Sequence, residues 1–285
     1  MPDGGDGFGG AGLGVNNRVA GSRLRDTDPT THSPSPETRQ FTPELQTQHP
    51  QLLVLDLGLT PYDEAWSLQK RAAAARIGGA LAEDLLILVQ HPPVVTLGRS
   101  TKPGHLLASA EYLEARGIQV REVERGGDVT IHEPGQLVVY PIIDLKRHRK
   151  DLHWYLRQVE EAIMRALLSF DLPTVRVPGQ TGVWREDAAG KRKLASIGVH
   201  ARDWVTWHGV ALNVTNDLST FRYTVPCGID GVEMSTVARE RATMGTEPPT
   251  FEAVSSAVIA AFGDVFSLVP EEGWTVDTLH AAGMI

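Results

Sequence analysis

The composition of this chain changes abruptly near residue 50, and the change decides which part can acquire a core. Residues 1–22, MPDGGDGFGGAGLGVNNRVAGS, are glycine-rich, and residues 26–44, DTDPTTHSPSPETRQFTPE, are rich in Pro, Ser, Thr and charge. Neither stretch can bury enough apolar surface to offset the entropy of ordering it. Residues 1–50 are therefore expected to form a disordered extension, and residues 51–285 a single folded domain. A chain of 285 residues that is 41% hydrophobic has ample material for that core.

The pattern after the break alternates strand and helix signals. LLVLDLGL (52–59) is an apolar run of strand length. Thr60, Pro61 and Asp63 then read as a helix start, with a hydroxyl cap, proline at the first helical position and a carboxylate in the first turn. AWSLQKRAAAARI continues that helix, and DLLILVQH (84–91) reads as a buried strand ended by Pro92 and Pro93. From 120 to 145, strand-like runs are broken by RGGD and EPGQ, which mark tight turns. Asp151 is placed to cap a helix whose Leu152, Leu156, Val159, Ile163 and Leu167 form one apolar face. Strand-like segments follow at TVRV, TGVWRE, KLASIGVHA and HGVALNV, with a hairpin turn at AAG (188–190). Thr250 is expected to cap the last helix, with Phe251, Val254, Val258, Phe262 and Val265 facing the core. This order predicts an α+β fold, a mixed β-sheet with packed helices.

Composition also excludes several functions. The single cysteine rules out an internal disulfide framework and the paired thiols of structural zinc sites, and it fits a reducing, cytoplasmic setting. A formal charge of −8 argues against a broad nucleic-acid-binding surface. No apolar run approaches the roughly 18 residues that a membrane span needs, and the N-terminus has no secretory pattern, so neither membrane nor secretion is implied.

The lone thiol, Cys227, lies in TVPCGID (224–230), between a proline and a glycine. A bend of that kind can present sulfur to a cleft, although an unpaired cysteine is ordinarily an inert buried residue. As a nucleophile it needs a neighbouring cation or base to favour the thiolate. Lys193, His132 and His208 are the candidates. Lys193 falls in GKRKLASIGVHA, where alternation puts it on one face with Ala195 and Ile197. Partial desolvation there would lower its pKa and suit it to base chemistry. Taken alone, however, GKRK reads as a solvated hairpin end. ERGGDVTIHEPGQ (124–136) has adjacent glycines that suit either a tight turn or close approach to a ligand. It lacks the spacing of the known nucleotide loops.

Four blocks together resemble one family. HPPVVTLGRSTKPGHLL (91–107), RGGDVTIHEPGQLVVYPIIDL (125–145), KLASIGVHARDWVTWHGVALNV (193–214) and PCGIDGVEM (226–234) resemble the lipoyl(octanoyl) transferases, within the superfamily of lipoate and biotin protein ligases. The likeness covers roughly residues 50–268, in order. It implies a lipoate/biotin protein ligase-like fold and an octanoyltransferase catalytic domain over 51–285. It further implies transfer of an octanoyl group from octanoyl-acyl carrier protein to a lysine on lipoyl domains of 2-oxo acid dehydrogenases and glycine cleavage H protein, the first step of endogenous lipoylation. Cys227 falls on the family nucleophile and Lys193 on the lysine held to lower the thiol's pKa. Substrate-lining positions fall on Arg125, Gly126, Gly127, Asp128, Val129, Thr130, Ile131 and His132, on Ser196, Ile197 and Gly198, and on Gly209, Val210 and Ala211. No metal or other cofactor is implied. Where the commonest family pattern is YHGPGQ, this chain has Ile131 and Glu133 around His132, both expected beside the pocket. KRHRK (146–150), Arg99 and Lys102 are candidates for docking acidic protein substrates. An ATP-dependent ligase, a non-catalytic lipoyl-domain binding module and a thioesterase are the rival readings. PCG, the retained Lys193 and the absence of a nucleotide loop weigh against the first two.

Overall fold

A computed structural model describes residues 50–225 and 231–285. The extension expected over 1–50 thus lies outside the described residues except for Pro50, whose carbonyl already accepts a hydrogen bond from Val269 N. The first apolar run is strand β1 (Gln51–Leu59), followed by helix α1 (Tyr62–Gly78) and strand β2 (Asp84–Gln90). The two strands pair in parallel, with Leu53 opposite Leu85. Alternate residues of DLLILVQH meet different cores. Leu86 and Leu88 pack on one side of the sheet, and Leu85, Ile87 and Val89 on the other. A strand covered on both faces has no polar side to show, which is why its pattern is a continuous apolar run.

The start of α1 differs from expectation. Pro61 is the cap position, and Thr60 makes no cap bond. Its hydroxyl donates instead to Leu57 O at 2.7 Å, and its N–H donates to Gln90 O at 2.9 Å. Both of its groups are used to close the end of β1 against β2.

Strands β3 (Val94–Leu97), β4 (Gln119–Glu122) and β5 (Val129–His132) form a small sheet in the order β4–β3–β5, with helix α2 (Ala110–Glu114) before β4. The chain continues through β6 (Gln136–Ile142), α3 (Leu152–Leu168), β7 (Val175–Val177), β8 (Gln180–Asp187), β9 (Gly190–Arg202), β10 (Val205–Asn213) and β11 (Glu233–Met234). Helices α4 (Val237–Thr243) and α5 (Phe251–Phe266), strand β12 (Val269–Trp274) and helix α6 (Val276–Ala281) complete it. The large sheet has nine strands in the order β12–β1–β2–β6–β10–β9–β8–β7, with β11 added beside β9. β1 is parallel to both neighbours and the central pairs are antiparallel, so the sheet is mixed, as predicted.

The two long C-terminal helices follow their caps. Asp151 accepts from Trp154 N at 3.0 Å, and Thr250 accepts from Ala253 N at 3.1 Å. On α3 the buried stripe begins at Tyr155 and runs through Val159, Ile163 and Leu167, while Leu152 is exposed and Leu156 half-buried. α5 buries Val254, Val258 and Phe262 against α3 in one shared core. It is not the last helix: α6 follows, started by a Thr275–Thr278 capping box. The hairpin expected at AAG joins β8 to β9, with Asp187 opposite Gly190.

Phe262 is fully buried and stacks on Phe266 with ring centroids 6.0 Å apart. Phe262→Ala is expected to destabilise the fold by about 3–5 kcal/mol, read as a lower urea midpoint.

Candidate active site

A pocket of about 260 Å³ opens over one face of β6, β10 and β9. Register sets its floor. Ala211 sits opposite Val138 on one side and Ser196 on the other, and Gly198 sits opposite Gly209. β5 and the turn before it lie over this floor, the Tyr62 end of α1 closes one side, and Gly179–Gln180–Thr181 edge another. The floor needs glycine at 198 because a Cβ there would come 2.7 Å from Gly126 O and 3.1 Å from Arg125 Cδ. Arg125 is itself fixed, donating from Nη2 to Thr96 O at 2.7 Å and to Thr96 Oγ1 at 2.8 Å.

Lys193 is 1% exposed, which excludes the solvated hairpin-end reading of GKRK. Within that run Lys191 faces Glu186 at the surface, and Arg192 is buried against Glu240 at 2.8 Å and Asp187 at 2.7 Å. The Lys193 Nζ donates to Thr181 O at 3.0 Å and lies 4.9 Å from the Trp184 ring centroid, where the ring face attracts a cation. Its stem is accommodated by Gly182, whose φ is +134° and where a Cβ would lie 2.6 Å from Lys193 Cε. A strand glycine here is the space that a buried lysine requires.

The rings of Tyr62, His132, Tyr140 and His208 also line the pocket, and buried His91 packs against the first three. Buried His91 donates from Nδ1 to Thr60 O at 2.7 Å, since a carbonyl can only accept. Burial lowers its pKa to about 4, with the Thr60 bond opposing, so the ring is neutral and its Nε2 accepts from Tyr140 OH at 2.8 Å. His132 is fixed in the same way. Gln136 spends its Nε2 on Ile131 O and Asn213 Oδ1, so its Oε1 faces His132 Nδ1 at 2.8 Å and that nitrogen carries the proton. Burial, then the neighbouring His91, holds the pKa of His132 well below 6.5 and leaves Nε2 as its basic nitrogen. Tyr62 stacks on this ring at 5.9 Å.

His208 takes a left-handed φ of 55° in the middle of β10, and its N–H turns to Gln69 Oε1 on α1 at 2.9 Å. Such a conformation in a non-glycine residue is held by its surroundings at a cost. Its Nε2 lies 3.4 Å from Glu124 Oε1, which also accepts from Trp207 Nε1 at 2.7 Å and Trp66 Nε1 at 3.1 Å. Burial pushes the Glu124 carboxyl up, but the donors from His208, Trp207 and Trp66 outweigh it and hold the group well below the carboxylate range. The pKa of His208 is lowered by burial, with Glu124 opposing.

Of the positions named from sequence, Arg125, Gly127, Asp128, Val129, Thr130, His132, Ser196, Ile197, Gly198, Gly209, Val210 and Ala211 line this pocket together with Lys193. Gly126 and Ile131 do not. Gly126 N donates to Val199 O at 2.8 Å, and Ile131 alternates away from Thr130 and His132 into a core with Val95, Leu113 and Phe221. Glu133 is likewise turned away from the pocket, accepting from Asn216 Nδ2 at 2.9 Å, Leu218 N at 3.1 Å and Thr220 Oγ1 at 2.8 Å. Cys227 lies outside the described residues. The chain on either side of it is anchored, with Val225 N donating to His105 O at 2.8 Å and Met234 register-paired with Lys193. The His105 ring in turn bonds pocket-lining Asp128 at 2.6 Å. Tyr62, Val138, Tyr140 and Gly179–Thr181 line the pocket without having been named from sequence. KRHRK is engaged locally: Lys146 with Asp144, Arg147 with Ala82 O, His148 with Asp84 and Arg149 with Asp151.

The mixed sheet with its packed helices is a fold found in lipoate protein ligases of known structure. A bi-partite lipoate protein ligase from Thermoplasma acidophilum shares the fold with a TM-score of 0.59 at 17% identity, over 83% of this chain and 91% of that one. The family model "Lipoyl protein ligase A/B catalytic domain" matches residues 61–263. An octanoyltransferase of Geotalea uraniireducens is 49% identical over 187 residues, 66% of this chain and 82% of that protein. One of Chloroflexus aurantiacus is 44% identical over 220 residues, 77% of this chain and 96% of that protein. The chain belongs to the lipoyl protein ligase A/B catalytic-domain family and, within it, to the octanoyltransferases, which are acyltransferases. Among the described residues no helix is long and apolar enough to cross a membrane.

The neutral rings carry a pH dependence. The folded chain refuses a proton on His91 until about pH 4, whereas the unfolded chain accepts one near 6.5. Stability is therefore complete above pH 6.5 and falls as pH drops towards 4, with His91 contributing a loss of about 3 kcal/mol at the lower end. Burial of His132 and His208 acts in the same direction. Urea midpoints measured from pH 7 to 4.5 are expected to fall less steeply in His91→Gln than in the parent chain.

Proposed function

We propose that the chain transfers an octanoyl group from the thioester of octanoyl-acyl carrier protein to a lysine of a lipoyl domain, through an acyl-enzyme on Cys227. In the first half-reaction the Cys227 thiolate, whose proton has passed to Lys193, adds to the thioester carbonyl, the carrier sulfur leaves with the bonding pair and takes that proton from Lys193, and a new thioester forms beside a neutral Lys193. In the second, the acceptor lysine adds as its neutral amine, loses a proton to Lys193, and the Cys227 thiolate leaves as the amide forms. Electrons and protons balance without redox or nucleotide chemistry. The acceptor class rests on the family to which the chain belongs.

The observation that carries the reading is the burial of Lys193 in the pocket wall, register-paired with a residue just downstream of the PCG segment. The same pocket has an apolar side made by Val129, Val138, Ile197, Val210 and Ala211, which suits an acyl chain. Burial keeps the His132 ring in the pocket wall neutral.

The test is intact-protein mass spectrometry after mixing with octanoyl-acyl carrier protein. An octanoyl adduct is expected on Cys227 and absent in Cys227→Ser. Lys193→Ala is expected to slow transfer to a lipoyl domain by about 10²–10⁴-fold, the range for removing a general acid–base group. An undiminished adduct in Cys227→Ser would falsify the mechanism, and release of octanoate to water in the presence of lipoyl domain would assign a thioesterase instead.

A further inference from the structure

Glu160 is a carboxylate with no exposure at all, placed on the apolar face of α3, and the acyl transfer outlined above gives it no task. Its Oε2 accepts from Arg157 Nη1 at 2.5 Å and Arg176 Nε at 3.0 Å. Those arginine side chains are 45% and 34% exposed, so the ion pair alone did not require a carboxylate sunk into the core. Burying one costs desolvation that the pair need not have incurred at the surface.

The other oxygen explains the burial. Glu160 Oε1 accepts from Gly182 N at 3.0 Å. That N–H belongs to the same peptide bond as Thr181 C=O, and Thr181 O accepts from Lys193 Nζ at 3.0 Å. A trans peptide points its C=O and N–H to opposite sides. One amide therefore stands between a carboxylate and a lysine, each bonded to the pole that its charge favours. Bonds at the two ends polarise the amide in the same sense and strengthen one another in a low-dielectric interior. Gly182 is also the residue whose missing Cβ admits the Lys193 stem, so the carboxylate holds the strand segment that both receives and orients that side chain.

We propose that Glu160 is a positioning residue for Lys193, acting through the Thr181–Gly182 peptide to hold Nζ at the pocket wall. The inference rests on the reading of Lys193 as the proton acceptor in octanoyl transfer.

The experiment compares steady-state octanoyl transfer by the full chain and by Glu160→Gln, Arg157→Gln, Lys193→Ala and the Glu160→Gln/Lys193→Ala pair. The Lys193 Cε resonance of ¹³C-lysine-labelled protein is recorded alongside. Glu160→Gln is expected to lower kcat roughly tenfold with KM little changed, as misplacement of a reacting group does. It should also move the Lys193 Cε resonance, and should add nothing in the Lys193→Ala background. Arg157→Gln removes a partner from the outer oxygen only and should leave both readouts close to the parent. Unchanged kcat in folded Glu160→Gln, or an equal loss with and without Lys193, overturns the inference while leaving the acyl-transfer reading standing. Full turnover in Lys193→Ala overturns that reading and the inference with it. Should Glu160→Gln melt too early for kinetics, the Cε resonance read well below its Tm decides: an unmoved resonance overturns the proposal.

Discussion

Everything else in the structure depends on the covering of both faces of the β1–β2–β6–β10 sheet. α3 and α5 cover one face with Val159, Ile163, Val258 and Phe262. α1 covers the other with Ala65, Leu68, Ala72 and Ala73. α1 uses alanine where it crosses the sheet, which lets it lie close to β6 and β10. Beyond its Tyr62 end the cover passes to the small sheet, whose Val129, Thr130 and His132 on β5 line the pocket. The pocket is the space left at that change of cover, so its place follows from how the sheet is roofed.

Polar groups buried beside the pocket require partners within the protein. That requirement accounts for the chained bonds Thr60–His91–Tyr140 and His132–Gln136–Asn213–Ser235, in which each donor has a designated acceptor. It also accounts for the neutral state of the rings: among the described residues the bonded partners of His91 and His132 are a carbonyl, a phenol and an amide, none of them a counter-charge. On the Lys193 side the same requirement is met by ion pairs and backbone. Arg192, Glu240 and Ser235 lock β11 and α4 against β9.

Much of the frame was legible because it rests on local chemistry. The Asp151 and Thr250 caps, the buried strand at 84–90 and the hairpin at 187–190 each need only neighbouring residues to be read. The pocket was legible in part, through the segments 125–132, 196–198 and 209–211. Tyr62, Val138 and Tyr140 were not, since an aromatic or aliphatic residue in a helix or strand carries no mark of lining a pocket rather than a core. The solvated appearance of GKRK misled because β9 runs from an exposed turn into the core: Lys191 stands beside the turn in water, and Lys193, two residues further in, stands in the wall. Glu160 did carry a signal. It stands four residues after Leu156 and three before Ile163, on the apolar face, where a carboxylate demands a buried partner.

The departure from YHGPGQ has its physical account in the same terms. Ile131 fills a core behind β5, so its side chain answers to Val95 and Phe221 and not to a ligand. Glu133 collects three donors from residues 216–220, at the start of the turn that leads to Val225. Val225 is held by His105, and on the far side Met234 and Ser235 are held by Lys193 of β9. The residues that flank PCG are thus tied at both ends to strands and turns that form the pocket. An acidic side chain at 133 adds one more tie to the incoming end, where glycine would supply none. Both residues therefore act on the frame that carries the site and not on the pocket lining.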